Sequence, residues 1–518
     1  MKYSMIKEIL QVSNMLFNSY EFIFLFLPIT FFVYFYLTSK RLITGAKAFL
    51  VFASLFFYSY WNVIYLPLIL GSILFNYSIG SALIKKSEHS KITKKAILVF
   101  GIASNLLLLG YFKYSDFFIQ NFNIAIGSNI ELLHLILPLG ISFFTFTQIA
   151  YLVDSYKGDT KEYDLVNYGL FVTFFPHLLA GPILHHKEMM PQFDKVSNMV
   201  KNYKNIALGI FLFSIGLFKK VVIADTFSVW ATAGFDTATT LNLIEAWATS
   251  LSYTFQLYFD FSGYTDMAIG IALLFNIRLP INFNSPYKAK NIQDFWRRWH
   301  ITLSRFLRDY IYIPLGGNRV SEFRTYSNLM ITFLLGGLWH GAGWTFIFWG
   351  FLHGFALIIH RVWSEYIKPT IKQILNKPKD YLFGTWSTLL AWFITFNFIN
   401  ITWIFFRAKE WNDAMKVIGG MVGLNGIELP ANLASKLGWL EEYGVGFGKW
   451  MGNISGNFET IFWILGGLIV AVIFKNSNYF ATKTLSKKEA FICALLLYGA
   501  VSFMLKANQQ SQFLYFNF

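Results

Sequence analysis

Apolar runs of bilayer length follow one another along nearly the whole chain. Tyr20–Thr38, Ile64–Ile84, Ala96–Phe112, Leu165–Leu184, Ile206–Ala224, Thr385–Arg407 and Glu489–Leu505 each approach the ~20 residues that span a hydrocarbon core. The hydropathy rule predicts roughly eleven to thirteen such transmembrane or re-entrant segments. They lie too close together for separate soluble domains, so the pattern predicts one all-α integral membrane domain over residues 1–518, without internal repeats. One run stands apart, because Asn328–His360 is interrupted by Gly336, Gly337, His340, Gly341 and Gly343. Non-helical backbone at membrane depth is tolerated only where it is buried in protein or lines a cavity. At the helical rise, His340 lies about 18 Å from Asn328, well inside a bilayer.

Composition agrees: 55% of the residues are hydrophobic and 14% charged, against roughly 25% charged in soluble chains. The net charge of +15 does not point to nucleic acid, because the Lys and Arg residues sit in short loops between apolar runs, where topology explains them. Lys40, Arg41 and Lys47 follow the first run, and Lys85, Lys86, Lys91, Lys94 and Lys95 a later one. Tyr287–Arg324 carries eight basic residues against three acidic ones, and Arg361–Lys379 and Lys475–Lys488 are also basic. With these loops cytoplasmic, both termini fall outside, the less basic stretch 408–458 becomes an external segment, and 507–518 an extracytoplasmic tail. Met1–Tyr20 is too polar for the apolar core of a cleavable signal. The single cysteine, Cys493, excludes an intrachain disulfide and a thiolate metal cluster.

An ionisable residue at membrane depth is a functional candidate, and His340 is set between aromatic residues and glycines in Leu338-Trp339-His340-Gly341-Ala342-Gly343-Trp344. A buried imidazole can take a proton from a hydroxyl, as acyl transfer from a thioester requires. The other reading is a histidine hydrogen-bonded between helices. His300 ends the stretch Asp294-Phe295-Trp296-Arg297-Arg298-Trp299-His300. Arg297, Arg298, Arg305 and Arg308 are dense enough for the phosphates of coenzyme A, or equally for lipid headgroups. Asp309 pairs with or orients one of them. Asp260 and Asp266 orient a histidine, line a polar tunnel, or simply pair with the arginines. Ser262 lacks a nucleophile elbow, and the adjacent His185 and His186 lack metal-ligand spacing.

Taken together, Asp260-Phe261-Ser262-Gly263-Tyr264, Asn282-Phe283-Asn284-Ser285-Pro286-Tyr287, Phe295 to Arg319 with Tyr312-Ile313-Pro314-Leu315-Gly316-Gly317-Asn318-Arg319 at its end, and Trp339-His340-Gly341 resemble the membrane-bound O-acyltransferase family. The branch is the one that acetylates alginate, peptidoglycan and other exported polysaccharides. These motifs fill a core over residues 255–355, with weaker agreement at Pro176-His177 and Gly181-Pro182. The resemblance implies a helical bundle around a transmembrane tunnel in a bacterial inner membrane. His340 would be the catalytic histidine, His300 its companion, and Trp339 a tunnel-lining residue. It also implies acetyl-coenzyme A as cytoplasmic donor, no metal, and a polysaccharide acceptor reached through an extracytoplasmic, SGNH-type acetyltransferase.

The ending Phe513-Leu514-Tyr515-Phe516-Asn517-Phe518 is similar to aromatic tails of this branch, which makes Tyr515 a candidate acyl carrier. An aromatic-belt anchor at the interface is the other reading. From a different function class, a transporter of a small solute or lipid would use the interrupted helices as its gate.

Overall fold

The computed structural model describes residues 15–85, 93–160, 164–179, 181–374, 385–481, 485–506 and 512–514. These are overwhelmingly helical, as the apolar runs predict, because a backbone in lipid must satisfy its own hydrogen bonds. Among them, seven helices are long and apolar enough to cross a membrane: Phe22–Ser39, Val63–Lys85, Lys94–Ile126, Tyr203–Thr237, Trp344–Ile371, Trp386–Arg407 and Lys487–Lys506. Ile43–Ser59 and Phe458–Val472 are shorter apolar helices.

The expected run Leu165–Leu184 is a correction. It is not one helix but Leu165–Thr173 and Phe175–Leu178, separated at Phe174 (φ −46°, ψ 108°), after which Pro176 cannot continue the first hydrogen-bond ladder. Its residues are apolar because protein surrounds them, for nearly every side chain from Asn167 to Leu179 is buried.

The chain packs as two compact units, neither contiguous in sequence. The first comprises Met1–Phe218, Tyr264–Pro280 and Ala481–Asn517. A cluster of Phe17, Phe22, Phe26, Phe57 and Phe175 rings forms its centre, with centroids 4.9–6.1 Å apart. Such pairs add about 0.5–1.5 kcal/mol each beyond their buried area. Val63–Lys85 and Lys94–Ile126 are joined by a reciprocal amide pair, Asn76 and Asn105, at 2.7 and 3.0 Å. Gly209 and Gly270 allow two backbones to meet, since a Cβ on either would lie 2.6 Å from the other's carbonyl oxygen.

The second unit comprises Lys219–Gly263 and Ile281–Phe480. Its core is aromatic: Trp299, Trp349 and Trp403 are each 1% exposed. The stretch 408–458 adds the Trp411–Met421 helix and a two-stranded parallel sheet, β1 (Ile427–Pro430) beside β2 (Val445–Gly448), with Ile427 opposite Val445.

Candidate active site

Local backbone pairing in the second unit fixes His300. Asn284 N donates to Arg298 O (2.9 Å), and Ile301 N donates to Asn282 O (3.0 Å). The Asn282–Tyr287 motif is therefore a clamp on the chain around His300. The motif is itself held, because Asn476 Nδ2 donates to Asn284 Oδ1 (2.8 Å) and Ser285 Oγ (3.0 Å). His300 occupies left-handed space (φ 42°, ψ 54°) immediately before the Ile301–Leu307 helix. A non-glycine residue is strained there, and such strain persists only where the surroundings enforce it.

Asn282 Oδ1 lies 3.3 Å from His300 Nδ1 and accepts from Thr302 N (3.2 Å) and Thr302 Oγ1 (2.7 Å). An acceptor at that position calls for the proton on Nδ1, which leaves Nε2 as the basic nitrogen. The side chain is fully buried, and desolvation drives the imidazole pKa down to about 3. His300 is therefore neutral at physiological pH.

His340 is the last residue of the Glu322–His340 helix. The chain turns through extended Gly341 and Gly343 into the Trp344–Val362 helix, as the glycine interruptions predict. These two helices cross at glycines. A Cβ on Gly337 would sit 2.3 Å from Phe346 O, and one on Gly350 would sit 2.3 Å from Phe333 O. Small residues at such a crossing let backbones approach and dispersion hold them.

His340 is 3% exposed. Three rings pack edge-on around its imidazole: Trp339 at 4.8 Å, Phe406 at 5.0 Å and Trp349 at 5.1 Å. Trp339 also meets His300, with centroids 6.3 Å apart. One buried indole thus touches both histidines, while Phe261 packs perpendicular to His300 at 4.8 Å.

The other expected residues divide. Arg298 Nε binds Asp294 (2.8 Å) and Arg308 Nε binds Asp309 (2.7 Å), so the Asp309 pairing is observed. Arg297 is exposed and Arg305 half-buried. Asp260 is ion-paired with a lysine: Lys220 Nζ lies 2.7 Å from Asp260 and 2.9 Å from Asp225. Asp266 is buried in the first unit. Tyr515 lies outside the described residues. Two positions earlier, Phe513 is fully buried and stacks on Tyr264 at 4.3 Å, which stacks in turn on Phe17 at 4.6 Å.

Sequence reasoning missed three buried polar groups. Lys220 sits on a π-turn, Lys219–Ala224, inside the expected run Ile206–Ala224; the Lys-Lys pair within an apolar run was its signal. His353 is fully buried and its Nδ1 accepts from Trp296 Nε1 at 3.2 Å. A histidine in mid-span was equally visible. Asn400 accepts from Ser250 (3.0 Å) and Thr254 (2.7 Å). The same Leu243–Leu274 helix carries Thr249, Tyr253, Gln256 and Asp260 at alternating spacings of three and four, which place them on one face. Thr249 Oγ1, Tyr253 OH, Gln256 Oε1 and Asn400 Nδ2 are buried with no hydrogen-bond partner among the described residues.

Comparison with known proteins shows the family of the chain. The model of MBOAT, the membrane-bound O-acyltransferase family, matches residues 59–406. The chain is 51% identical to the peptidoglycan O-acetyltransferase of Helicobacter pylori, covering 99% of both chains. It is 42% identical to the probable alginate O-acetylase AlgI of Pseudomonas aeruginosa over 79% of this chain and 75% of that one. Similarity extends to the teichoic acid D-alanyltransferase of Streptococcus thermophilus, at 30% identity over 52% of this chain and 68% of the relative. The transporter alternative thereby gives way to an enzyme. The chain belongs to the membrane-bound O-acyltransferase family and is a multi-pass membrane acyltransferase.

Proposed function

We propose that this acyltransferase takes acetyl from cytoplasmic acetyl-coenzyme A and passes it across the membrane for O-acetylation of peptidoglycan, through an extracytoplasmic SGNH-type partner. Peptidoglycan is preferred to alginate because the relative named for it matches at 51% over 99% of the chain, against 42% over 79%. The basic loops Tyr287–Arg324 and Arg361–Lys379 support an orientation with the donor on the cytoplasmic side and both termini outside.

The observation that carries the reading is the contact of His300 and His340 with one buried indole, Trp339. In the proposed step, His340 removes the proton from the acceptor hydroxyl as that oxygen bonds to the thioester carbonyl carbon. The C–S bond breaks, and the imidazolium returns its proton to the departing thiolate. His300, neutral and oriented by Asn282, offers Nε2 as a hydrogen-bond acceptor or base at the same place. The ring-lined surroundings of His340 keep bulk water away from the thioester. Arg297, Arg298, Arg305 and Arg308 supply charge for the donor's phosphates. The polar face through Thr249, Tyr253, Gln256 and Asp260, with buried atoms that a polar guest would satisfy, supports a polar path.

Tyr515 serves in this reading as the acyl carrier on the far side. Burial of Phe513 two residues earlier supports a tail that returns into the protein instead of lying at the interface.

The test is reconstitution in liposomes with labelled acetyl-coenzyme A on one face and a peptidoglycan fragment plus the purified partner on the other. Label should reach the fragment with wild-type protein, and His340→Ala and Tyr515→Phe should each block it. Normal labelling by Tyr515→Phe removes the carrier role. Failure of every acyl-coenzyme A donor with wild-type protein contradicts the donor assignment.

A further inference from the structure

A cavity of about 980 Å³ opens beside the C-terminal end of the Phe22–Ser39 helix, within the first unit. Its lining combines aromatic and aliphatic surface from Phe32, Phe35, Tyr36 and Val200 with two cations, Arg41 and Lys201. No acidic residue lines it. Phe32 and Tyr36 are more than half exposed, as lipid-facing rings near the end of a membrane span are. Lys201 Nζ stands 5.7 Å from the centre of the Phe32 ring, and Lys40 Nζ stands 5.8 Å from that of Tyr36. Cations and rings thus already stand against one another along this face.

Some basic side chains of the same unit are neutralised: Lys47 binds Asp194 (2.7 Å) and Asn167 (3.0 Å), and Lys187 lies 3.8 Å from Asp159. Lys40, Arg41 and Lys201 have no carboxylate partner among the described residues. The backbone of Arg41 is also in left-handed space, φ 61°. Arg41 N donates to Thr38 O (2.9 Å) and Leu42 N to Leu37 O (3.0 Å), a helix end that ordinarily takes glycine. An arginine at that position carries a backbone strain that glycine would not.

We infer that this cavity binds an anionic phospholipid. Its acyl chain lies against Phe32, Phe35, Tyr36 and Val200, and its phosphate meets Arg41 and Lys201, with Lys40 alongside. Guanidinium forks match phosphate oxygens, and basic clusters at a membrane edge attract anionic headgroups. A soluble phosphate ester would leave the apolar part of the trough unfilled.

The experiment uses the full-length protein in a neutral detergent, mixed with micelles of phosphatidylglycerol and phosphatidylcholine, and counts retained lipid by native mass spectrometry. Wild-type protein should retain phosphatidylglycerol at least ~10-fold over phosphatidylcholine. Arg41→Gln with Lys201→Gln should remove that preference, and Lys195→Gln with Lys204→Gln, which alters two exposed lysines absent from the cavity lining, should keep it. Arg41→Gly guards against misfolding: glycine suits the backbone, so the variant should melt no lower than wild type yet lose most of the preference. Equal retention of the two lipids by wild-type protein overturns the proposal, as does undiminished preference in Arg41→Gly. Displacement of the lipid by millimolar inorganic phosphate or coenzyme A overturns the assignment to a lipid.

Discussion

Lys220 in the second unit lies within 3 Å of two carboxylates, those of Asp260 and Asp225, whereas His300 and His340 in the same unit face rings. Both clusters are buried, but burial acts on them oppositely. A charge taken out of water is held by its counter-charges, and removing one partner leaves the others stranded. An imidazole packed among rings has no counter-charge to strand, so its loss leaves a void instead of a buried unpaired charge. The first arrangement holds a buried charge in place, and the second packs two imidazoles against rings. Mutations that reverse this ordering break the comparison.

The largest effect on stability is expected at Lys220. Lys220→Met leaves Asp225 and Asp260 facing each other in a buried site and should cost about 3–5 kcal/mol. Thermal melting in detergent measures it, and the triple variant with Asp225→Asn and Asp260→Asn should recover much of the loss. The helix crossing beneath His340 comes next. Gly350→Ala drives a Cβ to 2.3 Å from Phe333 O, a clash expected to cost about 1–3 kcal/mol. Gly343→Ala meets the Phe346 ring at 3.6 Å and Thr345 Oγ1 at 3.8 Å, both ordinary contacts, and should melt close to wild type.

Asn282→Ala removes the acceptor facing His300 Nδ1. With the backbone clamp retained, its signature should lie in rate more than in stability: a fall of about 10- to 100-fold in acetyl transfer, the equivalent of ~1.4–2.7 kcal/mol, in line with losing a buried hydrogen-bond partner. The smallest change concerns pH. Because the His300 pKa is lowered to about 3, its neutral form persists throughout pH 5–8. His300→Gln should therefore lower the pH–rate profile without moving its limbs, and a displaced acid limb would assign a titration to His300 that its burial disfavours.

Much of this was legible in the sequence for physical reasons. Where an apolar run is long and unbroken, as at Thr385–Arg407, hydropathy placed the helix to the residue. The glycines after Trp339 marked the turn between Glu322–His340 and Trp344–Val362, where the chain runs extended at Gly341 and Gly343 and a Cβ on Gly341 would strike the Phe346 ring at 2.2 Å. Leu165–Leu184 misled because hydropathy cannot distinguish a side chain apolar for lipid from one apolar for protein, and Phe174 with Pro176 breaks the helix where no charge warns of it. Asp260 was noticed without its partner, since Lys220 is forty residues away and its π-turn has no sequence mark. The tie between His300 and His340 through Trp339 is tertiary, and neither spacing nor periodicity encodes it.

The central claim is that His340 performs chemistry and is not merely packed. It is tested by measuring labelled acetyl transfer and thermal melting on the same preparation of His340→Ala. The account predicts a melting temperature within a few degrees of wild type and a transfer rate reduced by about 10²–10⁴, the usual contribution of a general base. Transfer at the wild-type rate by a folded His340→Ala protein would contradict it.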